Sequence, residues 1–244
     1  MTSTIKDAPA SPAGVFTFAG LASAVYTALS TVRDPELDEP ITTLGFVASC
    51  AVSEEGQAQV RLRLPTYFCA PNFAFLIVAD AHDAVTAVPG VTTAEIILDD
   101  HFASDAINAG VAARVGFVAS FNGEAADELD DLRATFLRKA VLAGTDLVCR
   151  PLAAAGRTPA DLAALTLGAT PASAELDRLR QRRADLGLPA SDDALLLTDP
   201  ATGAPVAPEA VPLHLRRAKL TRTGIEANTS ICSGMLRARY PDRS

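Results

Sequence analysis

The chain has 244 residues, 49% of them hydrophobic, which is enough apolar material for a packed core and excludes disorder throughout. Its net charge of −8 argues against a nucleic-acid-binding surface on the chain as a whole. No signal-peptide core and no apolar run of roughly 18 residues is present, so we expect a cytoplasmic protein that does not cross a membrane.

The first part of the chain predicts a helix–strand–strand–helix–strand–helix order after a loose tail over residues 1–14. Apolar residues at three- and four-residue steps predict the helices, and alternation of apolar and polar residues predicts the strands. Pro71 suits a first helical turn, because its missing N–H would be unpaired there. We expect helices over 21–32, 71–88 and 104–118, and strands over 44–52, 59–64 and 91–98. Residues 15–121 therefore predict a small α+β domain with helices packed on a short mixed sheet.

Residues 122–244 predict a mainly helical extension. Charged residues at helical spacing predict helices over 124–147 and 172–186, and Thr158 begins a short helix between them. A strand and turn are expected from Leu195. Pro205, Pro208 and Pro212 predict a stiff linker into a basic tail, which suggests self-docking, an acidic partner or a solvated surface.

The four cysteines are widely spaced and contain no Cys-x-x-Cys pair, which excludes a zinc ribbon and a thioredoxin-type motif. Cys69 precedes a predicted helix, whose N-terminus favours the thiolate form that ligates iron. A buried packing role is equally open for it. Cys50 and Cys149 fit core packing better. Cys232 lies in a small polar stretch typical of an exposed loop, and it is a candidate second ligand or transfer thiol near Cys69.

Four acidic residues lie between Asp34 and Glu39, after the first predicted helix. They are either solvated, with Asp34 capping the turn, or a hydrogen-bonding set beside Cys69. His101 follows the third predicted strand, where it is either a surface histidine or a ligand approaching Cys69. The chain has no P-loop, no Gly-x-Ser-x-Gly elbow and no His-Glu-x-x-His motif, so a nucleotide-driven enzyme or a conventional hydrolase is not supported.

Three motifs resemble the iron–sulfur assembly domain of PaaD-like and SufT-like proteins over about residues 18–108. They are Asp34-Pro35-Glu36 followed by Pro40-Ile-Thr-Thr-Leu-Gly-Phe-Val47, then Thr66-Tyr-Phe-Cys69-Ala-Pro71, and Pro89-Gly90-Val91. The family loop reads Thr-x-x-Cys-Pro, so the proline here is displaced by one residue. The resemblance implies Cys69 as a metal ligand, with Asp34, Glu36 and Thr66 lining its pocket.

The resemblance implies a maturation factor, not an enzyme, that transiently holds iron or an iron–sulfur cluster. Cys69, His101 and Cys232 are the predicted metal ligands. The expected partner is a client metalloprotein, and longer relatives suggest a di-iron monooxygenase. Because a full cluster needs more ligands than one thiolate, a homodimer is a further hypothesis. The alternatives are a metal-free adaptor or folding chaperone for an oxygenase component, and a thiol enzyme with Cys69 as nucleophile and His101 as base.

Overall fold

The computed structural model describes residues 18–121 and 129–241. The predicted α+β class and the order of the first six elements are confirmed, and a short helix α4 follows them. These elements are α1 Phe18–Leu29, β1 Val47–Val52, β2 Gln57–Leu62, α2 Pro71–Thr86, β3 Thr93–Leu98, α3 Ser104–Ala112 and α4 Phe117–Ser120. The predicted tail over residues 1–14 lies outside the described residues, as does the predicted helix start at residues 124–128.

The sheet has the order β1-β2-β3, with β1 antiparallel and β3 parallel to the central strand β2. Along β2, Ala58, Val60 and Leu62 are buried while the residues between them are exposed. This alternation arises because successive side chains of a strand point to opposite faces. The buried face packs against α1 and α2 and forms the first hydrophobic core.

The hairpin between β1 and β2 depends on Gly56, whose φ is +80°. A Cβ added at Gly56 would lie 2.2 Å from the carbonyl oxygen of Gly90. Only glycine can adopt this backbone conformation and also let the turn that leads into β3 approach residue 56 so closely.

The second part of the described chain is mainly helical and surrounds a second hydrophobic core. Its elements are α5 Asp130–Ala154, α6 Pro159–Ala164, α7 Ala174–Asp185, a 3₁₀ turn at Pro208–Ala210 and α8 Val211–Arg239. The guanidinium of buried Arg183 donates to the carbonyl oxygens of Leu195 and Leu196, which ties α7 to an extended segment. The strand predicted from Leu195 is reduced there to isolated β-bridges.

From Pro208 onward, the segment predicted as a stiff extended linker into a basic tail is helical in the structure. Pro212 lies in the first turn of α8, where its missing N–H removes no intrahelical hydrogen bond, and the whole helix has 29 residues. The first half of α8 packs on α5, where Arg222 Nε lies 2.6 Å from Asp146 Oδ2. Its last turn inserts Leu236 into the first core. The final helix therefore joins the two cores.

Two further ion pairs connect the α+β domain to the helical part. Arg133 of α5 binds Asp80 of α2 in a bidentate manner, with N–O distances of 2.7 and 2.8 Å. Arg182 of α7 pairs with Asp38, which adopts a positive φ of 55° in the loop after α1. Over the described ranges, the structure contains no helix that is both long and apolar enough to cross a membrane.

Candidate functional site

Cys69 lies in the loop between β2 and α2, one residue before the N-cap position of α2. Its Sγ is 3.3 Å from the hydroxyl of Thr66, within hydrogen-bond distance for sulfur. The same hydroxyl accepts a hydrogen bond from the Phe68 N–H at 3.2 Å, which fixes the turn of the loop. The contact with Thr66 fixes the position of the sulfur. Because Cys69 is only partly buried, the loop that carries it lies near the surface.

The side chain of His101 is hydrogen-bonded to this loop. It is buried, with 3% of its surface exposed, so the alternative of a surface histidine is wrong. Its Nδ1 accepts a hydrogen bond from the Ala103 N–H, and its Nε2 lies 2.8 Å from the carbonyl oxygen of Cys69. The proton is therefore on Nε2 and is donated to that carbonyl. Burial lowers the pKa of His101, and this effect outweighs the hydrogen bond to the Cys69 carbonyl, which raises the pKa; nearby Arg239 lowers it further. These effects favour the neutral ring.

This geometry bears on the two roles predicted for His101. Both ring nitrogens are bonded to backbone groups, so ligating a metal would require one of these hydrogen bonds to break. The structure therefore places His101 as a residue that positions the Cys69 loop.

A cavity of about 170 Å³ lies beside Cys69, and most of the predicted site residues meet there. Its polar lining consists of Cys69, Cys232, Asp34 and Glu36. The rest is apolar: Leu37, Phe46, Leu64, Pro65, Ala70, Phe73, Ala74 and Ile77. Such a volume would hold about six water molecules at liquid density. The cavity thus combines two thiols and two carboxyl groups in an otherwise apolar pocket.

Cys232 reaches this cavity from α8, and its expected position in an exposed loop is wrong. The thiol is partly buried, and burial raises its pKa. Asp34, Cys69 and Glu36, which line the same cavity, raise the pKa of Cys232 further. One turn earlier, Asn228 Nδ2 donates to Glu36 Oε1 at 3.2 Å and ties α8 to the acidic turn.

Asp34 both caps this turn and lines the cavity. Its Oδ1 accepts hydrogen bonds from the N–H groups of Glu36 at 2.9 Å and Leu37 at 2.7 Å. Burial nevertheless raises the pKa of Asp34 from 3.8 to about 6, because desolvation outweighs the two hydrogen bonds. A negative charge at this position is thus costly.

The remaining two cysteines lie elsewhere. Cys50 is on β1 and packs against the first core, while Cys149 is buried in the second core, where burial raises its pKa to about 12. Within residues 18–121 and 129–241, no group of three or more His, Cys, Asp or Glu side chains is arranged to hold a metal ion. The cavity therefore offers two thiols and nearby carboxyl groups but not a complete ligand shell.

The end of α8 covers the site through contacts that the sequence did not reveal. Arg239 donates to the carbonyl oxygen of Leu64 at 3.1 Å and pairs with Asp100. The Tyr240 hydroxyl lies 3.1 Å from Asp100 Oδ2, and the Arg63 guanidinium stacks over the Tyr240 ring. These contacts fix the end of the helix against the loops on either side of the Cys69 segment.

Comparison with known proteins finds similarity within the first domain. Residues 22–96 match the family of the iron–sulfur cluster assembly protein. The predicted resemblance is confirmed over these residues. They include Asp34, Glu36, Thr66 and Cys69, whereas His101 and Cys232 lie beyond the matched segment.

Two similar proteins each match about a third of the chain. The "iron–sulfur cluster carrier protein" of Mycobacterium leprae (strain TN) is 40% identical over 81 residues, which are 33% of this chain and 21% of that protein. The chain thus spans about a fifth of the length of this relative. A crystal structure of a domain of unknown function, DUF59, from Bacillus anthracis is 26% identical with a TM-score of 0.31, covering 35% of this chain and 81% of that one.

Proposed function

We propose that this protein holds an iron–sulfur cluster, or iron, transiently in the Cys69 cavity and passes it to a client metalloprotein. The observation that carries the proposal is the convergence of Cys69 and Cys232 on one cavity. The match of residues 22–96 to the assembly family and the name of the carrier relative support the same class of cargo.

The chemistry of the lining suits a carrier better than a storage site. Thiolates are soft ligands that bind iron and iron–sulfur clusters, and stable clusters usually take four of them. This chain presents two thiols, with the carboxyl groups of Asp34 and Glu36 beside them. An incomplete ligand set leaves positions for ligands of the recipient, so the proposed reaction is ligand exchange and not bond-forming catalysis.

Protons must leave when the cargo binds. A thiol ligates metal as a thiolate, and the pKa of Cys232 is raised by burial and by neighbouring acidic groups. A cationic cargo would offset both effects, because it attracts the thiolate and the buried Asp34 carboxylate. Loading is therefore proposed to be weaker at low pH than at neutral pH.

The narrower proposal concerns the client. The resemblance to longer relatives suggests a cytoplasmic di-iron monooxygenase whose iron site needs loading. We further propose that the helical part recognises this client, since it lies outside the family match and is joined to the site by α8.

The test is anaerobic purification and reconstitution of wild type, Cys69→Ala, Cys232→Ala and Cys50→Ala. We expect iron, sulfide and charge-transfer absorption in wild type, their loss in Cys69→Ala and a reduced content in Cys232→Ala. Cys50→Ala is the matched control, because Cys50 does not line the cavity, and should keep the cargo. A wild-type protein that resists reconstitution, or a Cys69→Ala protein that keeps its spectrum, would refute the carrier proposal.

An adaptor function without metal is the second candidate, favoured by an aromatic surface cluster next to Cys69. The rings of Tyr67 and Phe68 lie 5.0 Å apart, and those of Phe68 and Phe102 lie 6.0 Å apart. Phe68 is 77% exposed. Exposed apolar clusters of this kind often mark protein contacts. A Cys69→Ala variant that still matures the client would favour the adaptor.

A further inference from the structure

A second cavity, here called the arginine cavity, lies where the α+β domain meets the helical part. Its volume is about 700 Å³, which is within the range of small-molecule binding sites. Residues of α2, α5, α7 and the loop after α1 form its wall. Because α5 and α7 lie outside the matched residues 22–96, this cavity is not a feature of the assembly domain alone.

Arg182 of α7 is the most buried charged residue of this wall, with 7% of its surface exposed. Its Nη2 pairs with Asp38. Its Nε is buried, and among the described residues no acceptor lies within hydrogen-bond distance of this atom. A buried N–H group without an acceptor is costly, and the group that would satisfy it is an oxygen acceptor. The wall therefore calls for a ligand that accepts hydrogen bonds.

The charges around Arg182 favour a negatively charged acceptor. Arg33 and Arg182 share one carboxylate, that of Asp38, from which Arg33 Nη1 lies 3.7 Å away. The two guanidiniums thus exceed this carboxylate by one positive charge. Burial lowers the pKa of Arg33, and Arg182 and Arg178 act in the same direction against Asp38 and Glu39. An anion bound here would offset the excess positive charge.

The other charges of the wall are paired, bonded to backbone or exposed. Arg133 is held by Asp80 in the bidentate pair described above, and Arg178 lies 3.6 Å from Glu175. Asp34 Oδ1 is occupied by the two N–H groups of its own turn. The remaining carboxylates are exposed: Asp83, Asp177 and Asp185. They would repel a ligand with several negative charges, which argues against a nucleotide or a polyphosphate.

Most of the uncharged wall is apolar, and it comes from α2, α5 and the loop after α1. Its apolar members are Val32, Pro35, Ala84, Phe136, Leu137 and Ala140. Such a surface is stabilised by contact with an apolar group. We propose that the arginine cavity binds a small monocarboxylate with an apolar body, whose carboxylate accepts hydrogen bonds from Arg182 and Arg33.

The experiment is isothermal titration calorimetry of the metal-free full chain with three probes that share one chain length and differ in charge: octanoate, 1-octanol and octylammonium. We expect octanoate to bind at a single site with a dissociation constant on the order of 100 µM. 1-Octanol should bind about tenfold more weakly, since it lacks the charge that the guanidiniums attract. Octylammonium should not bind, because it would meet the excess positive charge around Arg182.

Three variants locate the binding. Arg182→Lys keeps the positive charge that pairs with Asp38 and removes the guanidinium Nε–H, so it should weaken octanoate binding about tenfold or more. Ala84→Leu fills part of the cavity from α2 without changing an ion pair, and it should abolish binding. Arg138→Gln is the matched control, because Arg138 is an exposed residue of α5 that does not line the cavity. It should bind octanoate as wild type does, and circular dichroism should show the same fold for all three variants.

Several results would overturn the proposal. They are no binding by wild type up to about 5 mM octanoate, equal binding of 1-octanol, and tighter binding of octylammonium, which would show that the carboxylates dominate the wall. Wild-type affinity in both Arg182→Lys and Ala84→Leu, or equal weakening in Arg138→Gln, would place the ligand elsewhere. Cys69 does not line this cavity, so Cys69→Ala should bind octanoate as wild type does. This variant and the use of metal-free protein keep the result separate from the carrier function.

Discussion

The buried carboxyl of Asp34 should lower the stability of the empty protein at neutral pH. Its pKa rises from 3.8 to about 6 on folding, chiefly through burial. The folded state thus holds the proton more tightly than the unfolded chain does. The resulting stabilisation is complete below about pH 3.8 and is lost as the pH rises through about 6. One unit of pKa corresponds to about 1.4 kcal/mol, so ionisation of Asp34 costs about 3 kcal/mol at pH 7.5.

Asp34→Asn removes this cost and preserves the turn. The amide oxygen of asparagine can accept the same two hydrogen bonds from the N–H groups of Glu36 and Leu37. We expect the variant to exceed wild type in free energy of unfolding by about 2 to 3 kcal/mol at pH 7.5. The difference should shrink toward zero near pH 4. Titrating groups that do not interact with Asp34 contribute equally to both proteins and cancel in the difference.

The assay is urea-induced unfolding of metal-free protein at pH 4, 6 and 7.5. Asp34→Ala is the control, because it removes both the charge and the acceptor. It should be less stable than Asp34→Asn by about 1 to 3 kcal/mol at every pH. A difference between wild type and Asp34→Asn that does not change with pH would show that the carboxyl is not desolvated. An Asp34→Asn protein that is less stable at pH 7.5 would refute the reasoning outright.

Three other substitutions probe the site and its supports. His101→Ala should destabilise the fold by about 2 to 4 kcal/mol, because it empties a buried site and breaks the hydrogen bond to the Cys69 carbonyl. Folding lowers the pKa of His101, so the neutral imidazole stabilises the folded state above pH 6.5. This stabilisation is lost as the pH falls from 6.5 through the lower pKa of the folded state. The stability of His101→Ala should lack this pH dependence. Leu236→Ala should cost about 2 to 4 kcal/mol and raise the alkylation rate of Cys232, measured by mass spectrometry, about tenfold or more. Gly56→Ala should cost at least about 2 kcal/mol in thermal unfolding, since its Cβ would clash with a backbone carbonyl.

Each of these predictions has an outcome that contradicts it. A stability–pH profile of His101→Ala parallel to that of wild type would contradict the neutral buried imidazole. Unchanged alkylation of Cys232 in Leu236→Ala would show that the end of α8 does not shield the cavity, with Cys50 as the internal reference thiol. A fully stable Gly56→Ala protein would mean that the hairpin can shift without loss.

The α+β domain could be predicted because its signals are local. The alternation through Val60 and Leu62 marks the inner face of β2, and Pro71 marks the start of α2. The contact between Thr66 and Cys69 spans three residues and belongs to one turn. Patterns of this kind depend on residues close together in the sequence, so they can be recognised without knowing which distant residues pack against them.

The position of His101 could not be predicted, because it depends on contacts distant in sequence. Its ring reaches the carbonyl of a residue 32 positions earlier, and Arg239 near the C-terminus contributes to its neutral state. Nothing adjacent to His101 in the sequence distinguishes such a residue from a surface histidine.

Cys232 was misjudged for a different reason. Its neighbours Thr229 and Ser230 are residues that favour turns. Here their hydroxyls donate to the carbonyl oxygens of Ile225 and Glu226, four residues earlier, at 2.9 Å each. The polar groups are thus satisfied within the helix, and a stretch with loop-like composition continues as α8.

Apolar residues on more than one side of α8 explain why this helix was missed. The buried side carries Val211 into the second core and Leu236 into the first, whereas Leu213, Leu220 and Ile231 are exposed. Apolar residues on several sides weaken the one-sided pattern by which a helix is recognised. Because Leu220 and Ile231 do not line the Cys69 cavity, Leu220→Glu combined with Ile231→Glu should leave the alkylation rate of Cys232 unchanged, whereas Leu236→Ala should raise it. An altered alkylation rate in the double variant would show that the exposed side of the helix is coupled to the cavity.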